Sequence, residues 1–392
     1  MTRALILNVG STTLKWSAID VATEERLTYG EEPWGTTDRA TEAARIAAIA
    51  SQVHALTAVA HRIVHGGGAF QSAVRIDPSV RASLEEIVPL GPPHGAGALA
   101  AIDAVAAALP DVLQLAAFDT AFHATIPPEA VTYAIPYEWT ERWGLRRHGF
   151  HGLSVSYAVE RAGELLGTVP SRLIVMHLGS GSSVTAVRDG RSIDTTMGFT
   201  PCEGMTMATR SGSVDPGLLL HLMTDLGLDA ATVRDALNHR SGLLGISGVS
   251  GDLRQVRRAA HAGSARASLA YAQLLVSGRR ALGAMIASLG GVDGIVVTGG
   301  VGEHDAVLRA DLLAPLSWAG VEIDAHANLW AVPDAAIGAG RRVSVLVIAA
   351  REDVAIARAI RPMLPASSAS STPPPPPVAM KTGRTSRPPG PR

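Results

Sequence analysis

The feature that most constrains this chain is an internal echo. Residues 4–20 read ALILNVGSTTLKWSAID, and residues 173–190 read LIVMHLGSGSSVTAVRDG. Each is an apolar strand, a polar residue, a Gly-Ser turn and a second strand. Asn8-Val9-Gly10-Ser11 aligns with His177-Leu178-Gly179-Ser180. Two copies about 170 residues apart predict two halves that open with the same hairpin. Two unrelated hairpins would read the same way, so the echo has to be weighed with the rest of the chain.

The 392 residues exceed what one hydrophobic core holds, and two domains follow. Short apolar strands are predicted at Leu5–Leu7, Leu14–Ile19, Leu173–Met176, Ile295–Val297 and Val343–Ile348. Helical spacing is predicted over Thr41–Ala58, Gly95–Leu109, Ala267–Leu289 and Asp353–Leu364. The alternation reads as a mixed α/β architecture. Residues 366–392 stand apart, with 8 of the 24 prolines, four basic residues and no acid. Such a segment cannot bury enough apolar surface to order itself and reads as a disordered tail.

Composition excludes several classes. A single Cys excludes a disulfide framework and a cysteine-rich zinc site, and it suits a reducing compartment. The net charge of −1 offers no general grip on nucleic acid or membrane, and the basic tail leaves the remaining chain at −5. No uncharged apolar run reaches membrane-spanning length, and MTRALILNVG lacks the apolar stretch of a secretory signal. A soluble, cytoplasmic protein is expected.

Glycine is in excess, at 40 residues, and its positions carry the argument. Asn8, Gly10, Ser11, Thr12, Thr13 and Lys15 form one Gly-Ser/Thr turn. Gly179, Ser180, Gly181, Ser182 and Ser183 form a second, and Gly299, Gly300, Val301 and Gly302 a third. Backbone N–H groups and hydroxyls in such turns suit phosphate oxygens. Any one could be an ordinary tight turn, but three, each directly after an apolar strand, point to nucleotide binding. No G-x-x-x-x-G-K-[ST] is present, so this is not a P-loop protein. Gly95–Ala100 formally matches a dinucleotide fingerprint but follows Pro-Leu-Gly-Pro-Pro-His rather than a strand, and is rejected.

A second group is polar residues in apolar or Gly-rich surroundings: Arg62, Asp119, His123, His151, Arg210 and Glu352. Each alone could tie down a loop or cap a helix. Together they make a kit for phosphoryl transfer between anions: arginines for equatorial oxygens, a carboxylate for a metal ion, a histidine as hydrogen-bond donor.

With these motifs in order, the chain resembles the acetokinase family of acetate, propionate and butyrate kinases, within the actin-like and sugar-kinase superfamily. The resemblance rests on NVGSTTLK at 8–15, HRIVHGG at 61–67, FDTAFH at 118–123 and RRHGFHG at 146–152. It continues through HLGSGSS at 177–183, DTTMGFTPCEGMTMATRSGSVDP at 194–216, SGLLGISG at 241–248 and GGVDGIVVTGGVGE at 290–303. It implies a duplicated α/β fold (the ribonuclease H-like unit twice) with a central cleft. The implied domains are a substrate-side domain of 1–121 plus 354–365 and a nucleotide-binding domain of 122–353. The implied reaction is transfer of the ATP γ-phosphoryl to acetate or another short carboxylate, with Mg²⁺ or Mn²⁺, in a homodimer.

By motif, the resemblance implies that Arg62 and Arg210 hold the carboxylate and the transferring phosphoryl. It implies His151 as a donor to that phosphoryl, Asp119 near the attacking oxygen or metal, and His94 as a further active-site histidine. Glu352 would bind metal, with Asn8 nearby. Ser11, Thr13 and Lys15 would line the phosphate side. His177, Gly179, Ser180, Gly181, Gly299, Gly300, Val301 and Gly302 would embrace the nucleotide, with Asp252, Leu253 and Arg254 near ribose and base. Val64, Pro93, Phe150 and Pro201 would form a small acyl pocket.

The chain departs from the family pattern at Pro93, Gly95, Ala96, Val155, Ser180, His304 and Arg351. The same motifs fit a propionate-preferring enzyme. A nucleotide-binding sensor that has lost catalysis is the reading of a different class. Against it stands the intact set Asn8, Arg62, His94, Asp119, His151, Arg210 and Glu352.

Overall fold

The computed structural model describes residues 2–10, 12–35, 38–88 and 92–365, with the side chains of 92–94 outside that description. Ser11 and the 366–392 tail lie outside the described residues. Two six-stranded sheets carry the fold. The first holds β1 (Arg3–Val9), β2 (Thr13–Asp20), β3 (Arg26–Pro33), β4 (Leu56–Ile63), β5 (Val74–Arg75) and β6 (Leu113–Phe118), in the order β3-β2-β1-β4-β6-β5. The second holds β7 (Arg172–Leu178), β8 (Ser182–Arg188), β9 (Arg191–Thr195), β10 (Gly294–Thr298), β11 (Ala335–Ala336) and β12 (Ser344–Val347). Its order is β11-β12-β10-β7-β8-β9.

The two orders are one topology read twice. In each, an antiparallel three-stranded meander leads into two parallel strands and a short antiparallel edge. The echo therefore marks a real duplication: Asn8 pairs with Lys15 in one hairpin, and His177 with Ser183 in the other. Strand interiors are buried on both faces because helices cover each sheet, as expected for parallel strands.

The layers follow from the apolar clusters. Helices Arg39–Ala50 and Pro92–Ala108 cover the outer face of the first sheet, through Ile46, Ile49, Ala101 and Val105. Helices Gly152–Leu166 and Glu352–Ile360 lie between the sheets and share one cluster with Ile6, Ala60, Leu115, Val175, Val296 and Leu346. Val155 is fully buried in that cluster, where a methyl-bearing side chain packs without polar cost. The helix Ala265–Leu289 covers the outer face of the second sheet. No helix of the described residues is long and apolar enough to cross a membrane.

One expected element is corrected. The helix expected over 41–58 spans Arg39–Ala50, and the remainder turns through Ala55, at φ 55°, into β4. Leu56–Ile63 is taken by pairing with β1 on one side and β6 on the other, which outweighs alanine's helix preference. Gly95–Ala100 lies within the helix Pro92–Ala108, not after a strand.

Candidate active site

The cleft is assembled from the carboxyl ends of parallel strands in both sheets. Asn8 sits at the end of β1, Arg62 at the end of β4, Asp119 just after β6, and His177 near the end of β7. Glu352 opens the helix that follows β12. With Val64, Phe150, His151, Gly179, Ser180, Gly181, Pro201 and Arg210, these residues line one cleft of about 330 Å³. Through Gly179 and Ser180 it adjoins a larger cavity of about 940 Å³. Asp252, Leu253, Arg254, Gly300 and Val301 line that cavity, together with Met205, Leu243, Leu274, Leu312, Arg257 and His304. Gly299 makes the strand-to-helix turn at φ 82°, a conformation that disfavours a side chain, and buried Gly302 lies one turn on.

Other site residues fall elsewhere. His177 lines the smaller cleft rather than the larger cavity. Thr13 opens β2, and its carbonyl accepts the Gly10 N–H at 2.7 Å. Lys15 faces an adjoining cavity with Arg26 and Glu31 that shares Asn8 and Glu352 with the cleft. The side chains of Pro93 and His94 lie outside the described residues. His123 is structural: its ring nitrogens meet Ser192 Oγ and the Phe150 carbonyl, both at 2.9 Å.

The two arginines differ in kind. Arg62 donates from Nε and Nη2 to both Asp119 oxygens, at 2.9 and 2.6 Å. Its Nη1 meets Glu352 Oε2 at 3.0 Å and Asn8 Oδ1 at 3.3 Å. Burial works against the Arg62 charge, but the Asp119 and Glu352 carboxylates overcome it and raise its pKa. Burial pushes the Asp119 carboxyl up and Arg62 pulls it back, while Glu352 adds to the rise. With both oxygens held by the guanidinium, the pair is an ion pair. Arg210 instead donates to the Pro201 carbonyl at 2.8 Å, and among the described residues no carboxylate pairs with it. Burial lowers its pKa below the ordinary arginine value. Among the described residues it is the uncompensated cation of the cleft.

His151 precedes the helix Gly152–Leu166 in a left-handed conformation, at φ 61°. The Gly152 N–H donates to the Asp119 carbonyl at 2.7 Å, and this fixes the turn. His151 Nδ1 lies 3.0 Å from Ser183 Oγ, and His177 Nδ1 lies 2.8 Å from Ser154 Oγ. A Cβ on Gly181 would sit 3.2 Å from Arg210 Nη1 and 3.3 Å from His151 Nε2. A bare backbone at 181 lets both donors close on the same spot.

Burial holds His151 well below the ordinary imidazole value, and it pushes His61, His65, His123, His148 and His177 down to about 4. All are neutral in the folded chain at pH 7. The unfolded chain takes up these protons near pH 6.5. Stability from neutral burial is therefore complete above that pH and is lost as pH falls toward the folded values. Tm is expected to drop steeply between about pH 6.5 and pH 4. A Tm unchanged over that window would show that these rings are hydrated.

One wall of the cleft is apolar. Phe150, Met197 and Met207 form a small cluster against Val64. Behind Val64 lies an apolar void of about 20 Å³, bounded by Leu84, Ile87 and Leu99. The loop carrying Pro201 is stapled by residues that sequence reading missed. The Tyr133 hydroxyl donates to Glu203 and accepts the Phe199 N–H at 2.8 Å, and Arg147 Nη2 reaches Glu203 Oε1 at 2.7 Å. The sequence signal was the polar Glu203 inside an apolar Gly-rich run. Met197 and Met207 were legible only as hydrophobes.

Comparison with known proteins shows the family of the chain. The profile of the acetokinase family matches residues 36–358. The chain belongs to the acetokinase family. The acetate kinase of Acaryochloris marina is 46% identical over 304 residues, covering 77% of this chain and 76% of that protein. The acetate kinase of Gloeobacter violaceus is 47% identical over 304 residues, covering 76% and 75%. The crystal structure of Porphyromonas gingivalis acetate kinase superposes with a TM-score of 0.84 at 33% identity, covering 91% of this chain and 98% of that one. A propionate kinase from Francisella tularensis subsp. tularensis superposes at 0.85 with 32% identity and the same coverage. This acetokinase is a phosphotransferase with a carboxyl group as acceptor, and the expected duplicated α/β fold is borne out. The family implies ATP as co-substrate.

Proposed function

We propose that this acetokinase transfers the γ-phosphoryl of ATP to acetate, giving acetyl phosphate and ADP, and runs the reverse reaction in the same site. One observation carries the reading: a neutral histidine and an uncompensated arginine share a cleft with a small apolar wall, beside a larger cavity. A carboxylate oxygen attacks the γ-phosphorus, and the bond from that phosphorus to the β–γ bridging oxygen breaks. Acetate is ionised at pH 7, so no general base is needed. Asp119, with both oxygens on Arg62, orients that arginine. Arg62 and Arg210 bind the anionic groups. His151 Nε2–H donates to the phosphoryl, in the tautomer whose bare Nδ1 accepts from the Ser183 hydroxyl 3.0 Å away.

Asn8 Oδ1 and Glu352 Oε2 converge on one Arg62 nitrogen, so one cation could meet both. Two oxygen donors suit Mg²⁺ or Mn²⁺, which keep waters and substrate phosphates as their other ligands. A bound ion there would neutralise charge on the phosphates. The glycine turns at Gly179–Gly181 and Gly299–Gly302, with Asp252, Leu253 and Arg254, are assigned to the nucleotide. Thr13 and Lys15 are assigned to its phosphate side, and Val64, Phe150 and Pro201 to the acyl group.

The test is acyl phosphate formation from acetate, propionate and butyrate with Mg-ATP. Acetate is expected to have the highest kcat/KM. Val64 divides the cleft from the void behind it, so Val64→Ala is expected to improve propionate relative to acetate by about 10-fold. Propionate outrunning acetate in the native enzyme would reassign the substrate, and no product from any acid would refute the reading.

A homodimer is supported by the helix Pro216–Thr224, which buries none of its residues and exposes Leu218, Leu220 and Met223, with Leu226 just beyond. Sedimentation that reads only monomer would remove it. The division into 1–121 plus 354–365 and 122–353 is supported by the packing of the helix Glu352–Ile360 across β1, β2, β4 and β6. The single Cys suits the cytoplasm.

A further inference from the structure

The loop that presents Glu352 is short and leaves two consecutive amides without strand partners. β12 ends at Val347, the Ile348 N–H still reaches the Val297 carbonyl at 3.0 Å, and the helix begins at Glu352. The Ala349 N–H donates to Asp334 Oδ1 at 3.1 Å, and the Ala350 N–H donates to Glu303 Oε1 at 2.9 Å. Two carboxylates thus hold the two residues through which the chain runs toward Glu352.

A carboxylate next to a site for ATP and a cation needs a reason. Asp334 is balanced by Arg161, whose Nε lies 2.6 Å from Oδ2. Among the described residues no arginine, lysine or histidine pairs with Glu303. Among the described residues, the hydrogen bond its side chain makes goes to the Ala350 N–H. Glu303 belongs to the five-residue helix Gly300–His304, which continues the third glycine turn and borders the larger cavity. Buried Arg309 holds this helix, donating from Nη1 to the Gly302 and Glu303 carbonyls at 2.8 Å each. The remaining guanidinium bonds go to Asn328. The glycine turn, Glu303 and the Glu352 loop are therefore joined in one hydrogen-bonded path.

We propose that Glu303 is a positioning residue that ties the nucleotide-side glycine turn to the Glu352 loop, so that Glu352 is placed for a divalent cation by the same element that borders the nucleotide. This rests on the assignment of Glu352 to the cation. The function needed of Glu303 is acceptance of one N–H, which glutamine's carbonyl oxygen can supply and alanine cannot.

The test compares Glu303→Ala, Glu303→Gln and Glu352→Gln in the full chain. Two readouts are taken: the Mg²⁺ concentration giving half-maximal activity, and Mn²⁺ bound to the enzyme–ADP complex, read by electron paramagnetic resonance. Glu303→Ala is expected to weaken Mn²⁺ binding and raise the Mg²⁺ requirement by about 10-fold, the usual scale for residues that orient a metal ligand, with acetate KM within about twofold. Glu303→Gln is expected to recover most of the loss. Native Mn²⁺ binding in Glu303→Ala overturns the proposal. So does a loss in Glu303→Gln equal to that in Glu303→Ala, because charge rather than N–H acceptance would then matter. If Glu352→Gln leaves the cation requirement unchanged, the Glu352 assignment itself fails, whatever Glu303 does.

Discussion

Arg210→Ala is expected to lower kcat by about 10²- to 10³-fold and to leave Tm unchanged or slightly higher. Arg210 is a half-buried guanidinium that donates to the Pro201 carbonyl and has no carboxylate among the described residues. A cation held that way costs folding free energy, and an anion arriving in the cleft supplies what it lacks. In the transition state the phosphoryl oxygens carry most of that charge. Removing the side chain therefore relieves the empty protein and weakens the transition state. Steady-state kinetics and thermal unfolding of the same preparation check both halves. Turnover within a few-fold of native, or a large loss of Tm, would show that Arg210 is a structural residue.

Arg62→Ala is expected to fail differently, losing activity on a similar scale and about 3–5 kcal/mol of stability as well. Arg62 is the counter-charge for Asp119, which is only 2% exposed, and it also bridges Glu352 and Asn8. Its removal leaves two neighbouring carboxylates, one of them buried, without their shared counter-charge. The double variant Arg62→Ala with Asp119→Asn is expected to regain most of the stability and none of the activity. An equal Tm for Arg62→Ala and the native protein would show that water replaces the guanidinium without cost.

The contrast between these arginines follows from strand placement. Both stand in marked motifs, and nothing in HRIVHGG or MATRSGS says which one is neutralised. Arg62 lies at the end of β4, between β1 and β6, so Asn8 and Asp119 come to it from the adjacent strand ends. Arg210 comes from a long loop after β9, outside either sheet, and meets a carbonyl instead. His151 was legible as a candidate, but its left-handed backbone and its Ser183 partner were not, since Ser183 lies 32 residues away. The expected helix over 41–58 overran for a related reason: an alanine-rich run has no local signal for the strand vacancy that claims its second half.

The sequence by itself determined the duplicated hairpin, the glycine turns after apolar strands and the polar residues at strand ends. Such features are local, because strand periodicity and turn chemistry act over a few residues. Tertiary structure alone decided how charge is distributed among those residues. It pairs Arg62 with Asp119 and Glu352 and gives Arg210 no carboxylate among the described residues. It turns Lys15 toward an adjoining cavity and sets Glu303 against the backbone that leads to Glu352. These contacts join segments tens to hundreds of residues apart. Their energies depend on burial and on the neighbours that packing brings, which no local pattern encodes.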